Sequence, residues 1–267
     1  MTSASVILAV ATDRRRSSAA LVREGVEVVG EVATMPCTSD LAALADLIER
    51  KLKDAHDRGL TPLGLAFALP DGPPWLEFQT VVAARANLPS TSEWVARATL
   101  RGEHLDGAAK HASSAVLLDT DGLKLGLLLD GRPYAGANGK AGDIAHLGID
   151  RTGTVRCTCG RTGCLTALLK AGADAPPPPP SKAFSPGPSR PLGWVAIATI
   201  AVVNALNPAL VILRGSVIED SSGFDWLAAS VRRGCLGPTR AGLVDIVRAR
   251  DDSTLVGAAA GFAALHR

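Results

Sequence analysis

No apolar run in this sequence approaches the roughly 20 residues that a helix needs to cross a bilayer. A membrane-spanning helix is therefore excluded. Nor is a secretory signal expected, because the opening MTSASVILAVATDRRR carries its apolar stretch ahead of its charges, the reverse of a signal peptide. A cytoplasmic protein is expected. Charge of one sign is also lacking: 28 Lys and Arg stand against 26 Asp and Glu, a net +2 with pI near 8.3. Such a balance leaves no electrostatic footprint for nucleic acid or a membrane surface, and the short run Arg14–Arg16 reads as a solvated turn. Cysteine is sparse as well. Of five, Cys37 and Cys235 have no partner nearby in sequence, which suits reduced thiols in a reducing compartment.

What is present is a core and one unusual loop. With 267 residues, 47% of them hydrophobic, the chain can bury a core of one large domain or of two lobes. The loop runs from Gly136 to Lys170 and holds three of the five cysteines beside a histidine. Cys157, Cys159 and Cys164 form C-x-C-x4-C, and His146 precedes Cys157 by eleven residues. One imidazole and three thiolates make a closed tetrahedral zinc set, which leaves no open position for water or substrate and is structural by default. The alternatives are free buried thiols or a disulfide; a C-x-C pair is poorly shaped to bridge to itself. Gly160 and Gly163 let the loop fold back so that Cys164 can close the site.

Around this loop the chain alternates strands and helices. Ser5–Ala11, Ser17–Val22 and Val26–Ala33 read as a three-stranded meander. A helix follows from Ser39, its expected N-cap, to Gly59, and then a strand over Leu63–Leu69. A second helix is expected over Ser92–Arg101, then a hairpin of Ser114–Asp119 and Leu123–Leu129 turning at Asp121-Gly122. A short strand is placed near Pro133 and a helix start at Leu165–Lys170. GADAPPPPPSKAFSPGPSRP, residues 172–191, reads as a linker, since proline fixes φ and removes donors. Beyond it come a helix over Leu192–Ala205, a buried strand at Leu210–Leu213, a helix at Ser222–Arg233, a strand at Val244–Arg248 and a closing helix over Asp252–Leu265, whose small residues permit close packing.

Several stretches resemble the ROK family of sugar kinases and sugar-responsive repressors. Asp143-Ile144-Ala145-His146 is similar to the family's E-x-G-H segment, CTCGRTGCLT from Cys157 to Thr166 to its C-x-C-G-x-x-G-C-L-E, and NALNPALVILRGSV from Asn204 to its N-x-x-N-P-x-x-I-V-L-G-G-x-x. The resemblance implies an α/β, actin-like (ribonuclease H-like) two-lobe sugar-kinase fold with a structural zinc loop. The β-β-β-α-β opening agrees with it. Lobes are expected at 1–112 and 113–267, the second carrying the zinc loop 136–170 and the linker 172–191, with the last helix packing back on the first lobe. In the family the His and three Cys hold zinc, here His146, Cys157, Cys159 and Cys164. Homo-oligomers, as homodimers or tetramers, are also implied, and a dimer is expected.

The kinase motifs do not follow. The family's L-G-I-D-I-G-G-T-K opening aligns without gaps on Leu8 to Arg16, which puts Ala11 at the metal-associated acid and Asp13, Arg14 and Arg15 on the G-G-T that lets backbone approach phosphate. The second phosphate loop aligns with TDGLKLG, where Asp121 would repel phosphate and Lys124 brings in a side chain. Trp94 stands at the position of the catalytic Asp, with Glu93 beside it, and Thr166 replaces the Glu that follows the last zinc cysteine. Asp143 and His146 are what remains of the sugar contacts, so the ligand cleft would be lined by Glu93, Trp94, Asp143, His146 and Thr166. ATP and magnesium are not expected as cofactors; zinc is. Losing one general base costs roughly 10²–10⁴ in rate, and here both phosphate loops depart as well. The expected role is a catalytically inactive regulator, sensor or scaffold with an unidentified small-molecule ligand. The alternatives are an active ATP-dependent sugar kinase acting on a hexose or N-acetylhexosamine, and an enzyme of different chemistry in the same cleft. No helix-turn-helix pattern precedes the first strand, so DNA binding is not expected.

Overall fold

A computed structural model describes residues 4–23, 26–37, 40–150, 154–172, 190–243 and 245–266. They divide into two units, 1–111 with 249–267, and 112–248.

The first unit is built on a mixed sheet. Its strands are β1 (Ser5–Thr12), β2 (Arg16–Arg23), β3 (Glu27–Pro36), β4 (Thr61–Leu69) and β5 (Ser90–Trp94), in the order β3-β2-β1-β4-β5. β1 and β2 are apolar on both faces because both faces are covered. Val6, Leu8 and Val10 point one way, towards Leu44 and Ile48 of α1 (Leu41–Asp57) and Phe78 of α2 (Pro73–Ala86). Ile7 and Ala9 point the other way, with Ala66 and Ala68, onto Ala98 of α3 (Val95–Asp106) and onto Leu255 and Ala259 of the chain's last helix, Ser253–Leu265. Alanine predominates on that second face, beside Ile7 and Val22, which lets two helices sit close to the strands.

Asp40, not Ser39, caps α1, accepting from the amides of Ala42 and Ala43 at 3.0 and 3.3 Å. Such a cap is worth about 1 kcal/mol; Ser39 lies outside the described residues. A larger correction concerns α2, which the sequence reading misses, and the helix expected from Ser92. Pro73 and Pro74 look like a turn but occupy the first helical turn, where an N–H has no partner to lose. α2 fully buries only Phe78 and Val82, so its apolar periodicity is faint. Ser92, Glu93 and Trp94 end β5 instead of starting a helix, with Trp94 in register with Leu69.

The second unit has its own mixed sheet. β6 (Ala115–Asp119) and β7 (Lys124–Leu129) form a hairpin extended by β8 (Arg132–Pro133), while β9 (Leu210–Arg214) and β10 (Asp245–Arg248) run parallel to β6, in the order β10-β9-β6-β7-β8. Helices α4 (Leu165–Ala171), α5 (Arg190–Leu206), α6 (Ser221–Gly234) and α7 (Gly237–Gly242) belong to this unit, and the final helix is α8. Leu118, Leu125, Leu168 and Trp194 are among the side chains at the centre of its core. α7 was not expected from the sequence. α5 begins two residues earlier than the reading put it, with Pro191 in its first turn. Of the proline-rich segment 172–191, residues 173–189 lie outside the described residues, as does Val244 at the expected start of β10.

Candidate metal centre and the loops around it

The connection from β8 to α4 is folded by its backbone onto β7. Leu125 donates to the Gly142 carbonyl at 2.8 Å and Ile144 to that of Leu123 at 3.2 Å, which lays 142–144 along the strand. Gly142 must be glycine there: with φ of +94°, a Cβ would meet the Leu125 oxygen at 2.4 Å. The buried Ile144 anchors the segment, and His146 follows it. The cysteine loop then turns back on itself, Cys157 N–H donating to the Arg161 carbonyl and Gly160 N–H to that of Cys157, at 2.8 and 3.0 Å. At Gly163, φ is +69° and a Cβ would lie 2.0 Å from the Asp150 oxygen, so this reversal too depends on the missing side chain. Cys164 pairs with Gly148 and caps α4.

These turns bring four donor atoms together. The ligand atoms of His146, Cys157, Cys159 and Cys164 all lie within 4.8 Å of one another. Cys157 Sγ is 3.4 Å from His146 Nδ1, and Cys159 Sγ is 3.6 Å from Cys164 Sγ. A zinc–sulfur bond of about 2.3 Å in a tetrahedron puts sulfurs about 3.8 Å apart, so the spacing fits zinc. Cys157 and Cys164 are buried, His146 is half-buried and Cys159 is exposed. In the metal-free chain the thiols differ: the Arg161 backbone N–H beside Cys159 lowers it to about 6, and burial raises Cys164 to about 11. Metal binding would convert all three to thiolates.

Beside this centre, Lys124 Nζ lies 2.7 Å from Asp143 Oδ2, and the Ala145 amide donates to Asp143 Oδ1 at 3.2 Å. Burial pushes the Asp143 carboxyl up, but Lys124, the Ala145 amide and His146 together hold it below the usual carboxylate range. Thr166 N–H donates to the Ala145 carbonyl at 2.9 Å. The second unit thus gathers Asp143, His146 and Thr166 around Ala145. Glu93 and Trp94 belong to the first unit. Glu93 is not a solvated surface group: its side chain is 13% exposed and ion-paired with Arg101. Burial pushes its carboxyl up, opposed by Arg101 and Arg97. Trp94 is buried, and the Arg97 guanidinium carbon lies 5.2 Å from its ring centroid.

The loops that the sequence aligns with phosphate-binding segments are closed by carboxylates. In the β1–β2 turn, Asp13 Oδ1 accepts from the amides of Arg15 and Arg16 at 2.9 and 3.0 Å. After β6, the buried Asp121 accepts from the Ser216 amide at 3.0 and 3.1 Å and from its hydroxyl at 2.5 Å. Asp119 faces Arg214 at 3.3 Å. Sequence reasoning missed Arg97, Arg101, Arg214 and Ser216. A signal existed only at Arg214, which stands on the first glycine of the family's G-G pair.

Residues 70–173 match the model of the ROK family. The xylose repressor of Bacillus subtilis is 26% identical over 162 residues, covering 54% of this chain and 42% of that protein. The chain therefore matches less than half the length of this curated relative. Among solved structures, a ROK family glucokinase from Streptomyces griseus in complex with glucose and AMPPNP superposes with a TM-score of 0.69 at 18% identity, over 96% of this chain and 98% of that one. A ROK family transcriptional regulator, homolog of the E. coli MLC protein, gives 0.68 at 22% identity, over 96% and 77%. At such identities the likeness is one of fold: a two-lobe α/β actin-like architecture with two mixed five-stranded sheets.

Proposed function

We propose that this chain, which matches the ROK family model over residues 70–173, is a ROK family protein that keeps a structural zinc centre, does not phosphorylate sugars, and acts as a regulator, sensor or scaffold, as a homodimer. The observation that carries the reading is the use of backbone donors. Phosphate binding uses free backbone amides, and in each unit taken by itself a carboxylate accepts from amides of the aligned loop: Asp13 in the β1–β2 turn of the first unit, and Asp121 from Ser216 in the second. An incoming phosphate oxygen held 4 Å from such a carboxylate would meet a repulsion of about 4 kcal/mol at an effective dielectric of 20, roughly a thousandfold in affinity. The residues that replace the kinase set agree: Ala11 cannot hold a metal, and Trp94, committed to packing and to Arg97, cannot serve as a base. Zinc, where the centre holds it, would fasten the loop that presents Asp143 to α4.

A second reading, an ATP-dependent sugar kinase, is favoured by the likeness in fold to the glucokinase over nearly the whole chain. Calorimetry with ATP and magnesium, followed by turnover on hexoses and N-acetylhexosamines, separates the two. The proposed role predicts no ATP affinity in the micromolar range and no sugar-dependent ADP release. Micromolar binding with turnover near about 1 s⁻¹ overturns it in favour of the kinase.

A further inference from the structure

We propose that Cys159 is a site of oxidative modification, and that peroxide converts Cys159 and Cys164 into a disulfide with release of the bound zinc. The inference rests on the reading of the His146–Cys157–Cys159–Cys164 set as a zinc centre. Three features of the set select this pair.

The first is exposure. Cys159 is the one exposed member, whereas Cys157 and Cys164 are buried. Oxidation of a thiol follows thiolate character and access, and zinc ligation keeps all three sulfurs in the thiolate form. Peroxide therefore meets Cys159 first. The second feature is distance. Once Cys159 is oxidised, the Cys164 sulfur lies 3.6 Å away, across a loop already folded back by Gly160 and Gly163. The third is the state of the remaining thiol: Cys157 is held against His146 Nδ1 at 3.4 Å and is separated from Cys159 by one residue, a spacing poorly shaped for a disulfide.

The chemistry balances. The Cys159 thiolate attacks one peroxide oxygen, the O–O bond breaks, and a sulfenic acid and hydroxide form. The Cys164 thiolate then attacks the sulfenic sulfur, the S–S bond forms, and the oxygen leaves as a second hydroxide. Two electrons pass from two thiolates to one peroxide. The metal keeps only His146 and Cys157, too few to hold it. Its release would remove the metal link between His146 and the cysteine loop and leave the segment that carries Asp143 held to Cys164 and α4 by backbone bonds such as Thr166 N–H to the Ala145 carbonyl, so that oxidation loosens the neighbourhood of Asp143 without touching it.

The test uses this 267-residue chain with Cys37→Ser and Cys235→Ser, which removes the two thiols outside the set. Zinc is first counted by metal analysis: a chain with no zinc overturns the metal reading itself, separately from the oxidation step. Zinc-loaded protein is then treated with hydrogen peroxide while a chromogenic chelator reports free zinc and alkylation with peptide mapping reports each thiol. The expected result is one zinc released per chain, a Cys159–Cys164 disulfide, Cys157 still alkylatable, and recovery of binding after reduction with a dithiol. A disulfide that includes Cys157, or zinc retained after Cys159 has been oxidised, refutes the proposal. Cys159→His, which supplies a zinc ligand that peroxide does not oxidise in this way, is expected to slow zinc release at least tenfold; release at the unchanged rate also refutes it. The thiol map of the protein retaining Cys159 stands by itself if that variant binds no metal.

Discussion

Replacing Gly257 by alanine should destabilise the protein, although the same change in most helices stabilises it. Gly257 lies inside α8, where alanine is favoured over glycine by roughly 1 kcal/mol. Here a Cβ would stand 1.8 Å from the Ala98 carbonyl oxygen and 2.7 Å from the Gly102 nitrogen, both backbone atoms of α3. Gly102 faces the opposite way in the same contact, its missing Cβ 2.0 Å from the Ser253 oxygen. Neither neighbour is the flexible end of a side chain, so relief requires α3 and α8 to separate by well over an ångström. That separation would also loosen Leu255, Ala258 and Phe262 from the sheet. Overpacking of a well-filled core costs about 1–3 kcal/mol and more when backbone must move, so the helix gain is outweighed and a net loss of about 2 kcal/mol is expected. It should appear as a fall in Tm of roughly 4–8 °C by calorimetry, and as faster amide exchange in the peptide covering α3. Gly242→Ala at the end of α7, where the nearest atom a Cβ would meet is Asn207 Oδ1 at an ordinary 3.8 Å, serves as the control and should stay within about 0.5 kcal/mol. A Gly257→Ala protein as stable as the parent, or more so, would show that the two helices are not held at this distance.

Two further outcomes are expected. The fully buried Glu103 accepts from the amides of Ala108 and Arg250 and from the Ser253 hydroxyl, at 2.8, 2.7 and 2.6 Å. Glu103→Ala strands those donors and should cost about 3 kcal/mol in urea unfolding; a loss below about 1 kcal/mol would show that water or a rearranged loop satisfies them. Asp220 caps α6, and the Gly223 amide and the Ser222 hydroxyl hold its carboxyl below the usual range. With the folded value depressed, its contribution is present above the unfolded-state pKa of about 4 and is lost as pH falls through the folded value. Asp220→Asn should remove that acid sensitivity from amide exchange in α6, and an unchanged pH profile would exclude Asp220 as its source.

What could be read from the sequence was mostly what is local. The histidine and cysteines are legible because zinc ligation needs particular residue types at short spacing, and the glycines among them mark where the loop must reverse. Most strands of both sheets are legible because residues such as Val6–Val10 and Leu210–Leu213 form unbroken apolar runs, the pattern of strands covered on both faces; β5, with the sequence STSEW, has no such run and its second half was read as helix. α2 was hidden because two prolines announce a turn and because only Phe78 and Val82 mark its buried side. The partners of Asp121 and Glu93 were hidden for a different reason. Ser216 lies 95 residues beyond Asp121, and nothing in either segment alone specifies the pairing. Arg101 is eight residues from Glu93, but the strand-to-helix change between them has to be known before the two can be brought face to face.

The first unit is discontinuous in sequence: it takes residues 1–111 and then closes with 249–267. Its sheet face of Ile7, Ala9, Ala66 and Ala68 is covered in part by Leu255 and Ala259, and its buried Glu103 receives two of its hydrogen bonds from Arg250 and Ser253. On a ribosome adding about 5–20 residues each second, that face and that carboxylate wait for the intervening 112–248 to be made, a delay on the order of ten seconds. The second unit, contiguous in sequence, has no such wait. During synthesis, an apolar alanine-lined surface and an unsatisfied acid are therefore open in the older part of the chain while the younger part can already close, and that interval is when a holding chaperone would find something to bind.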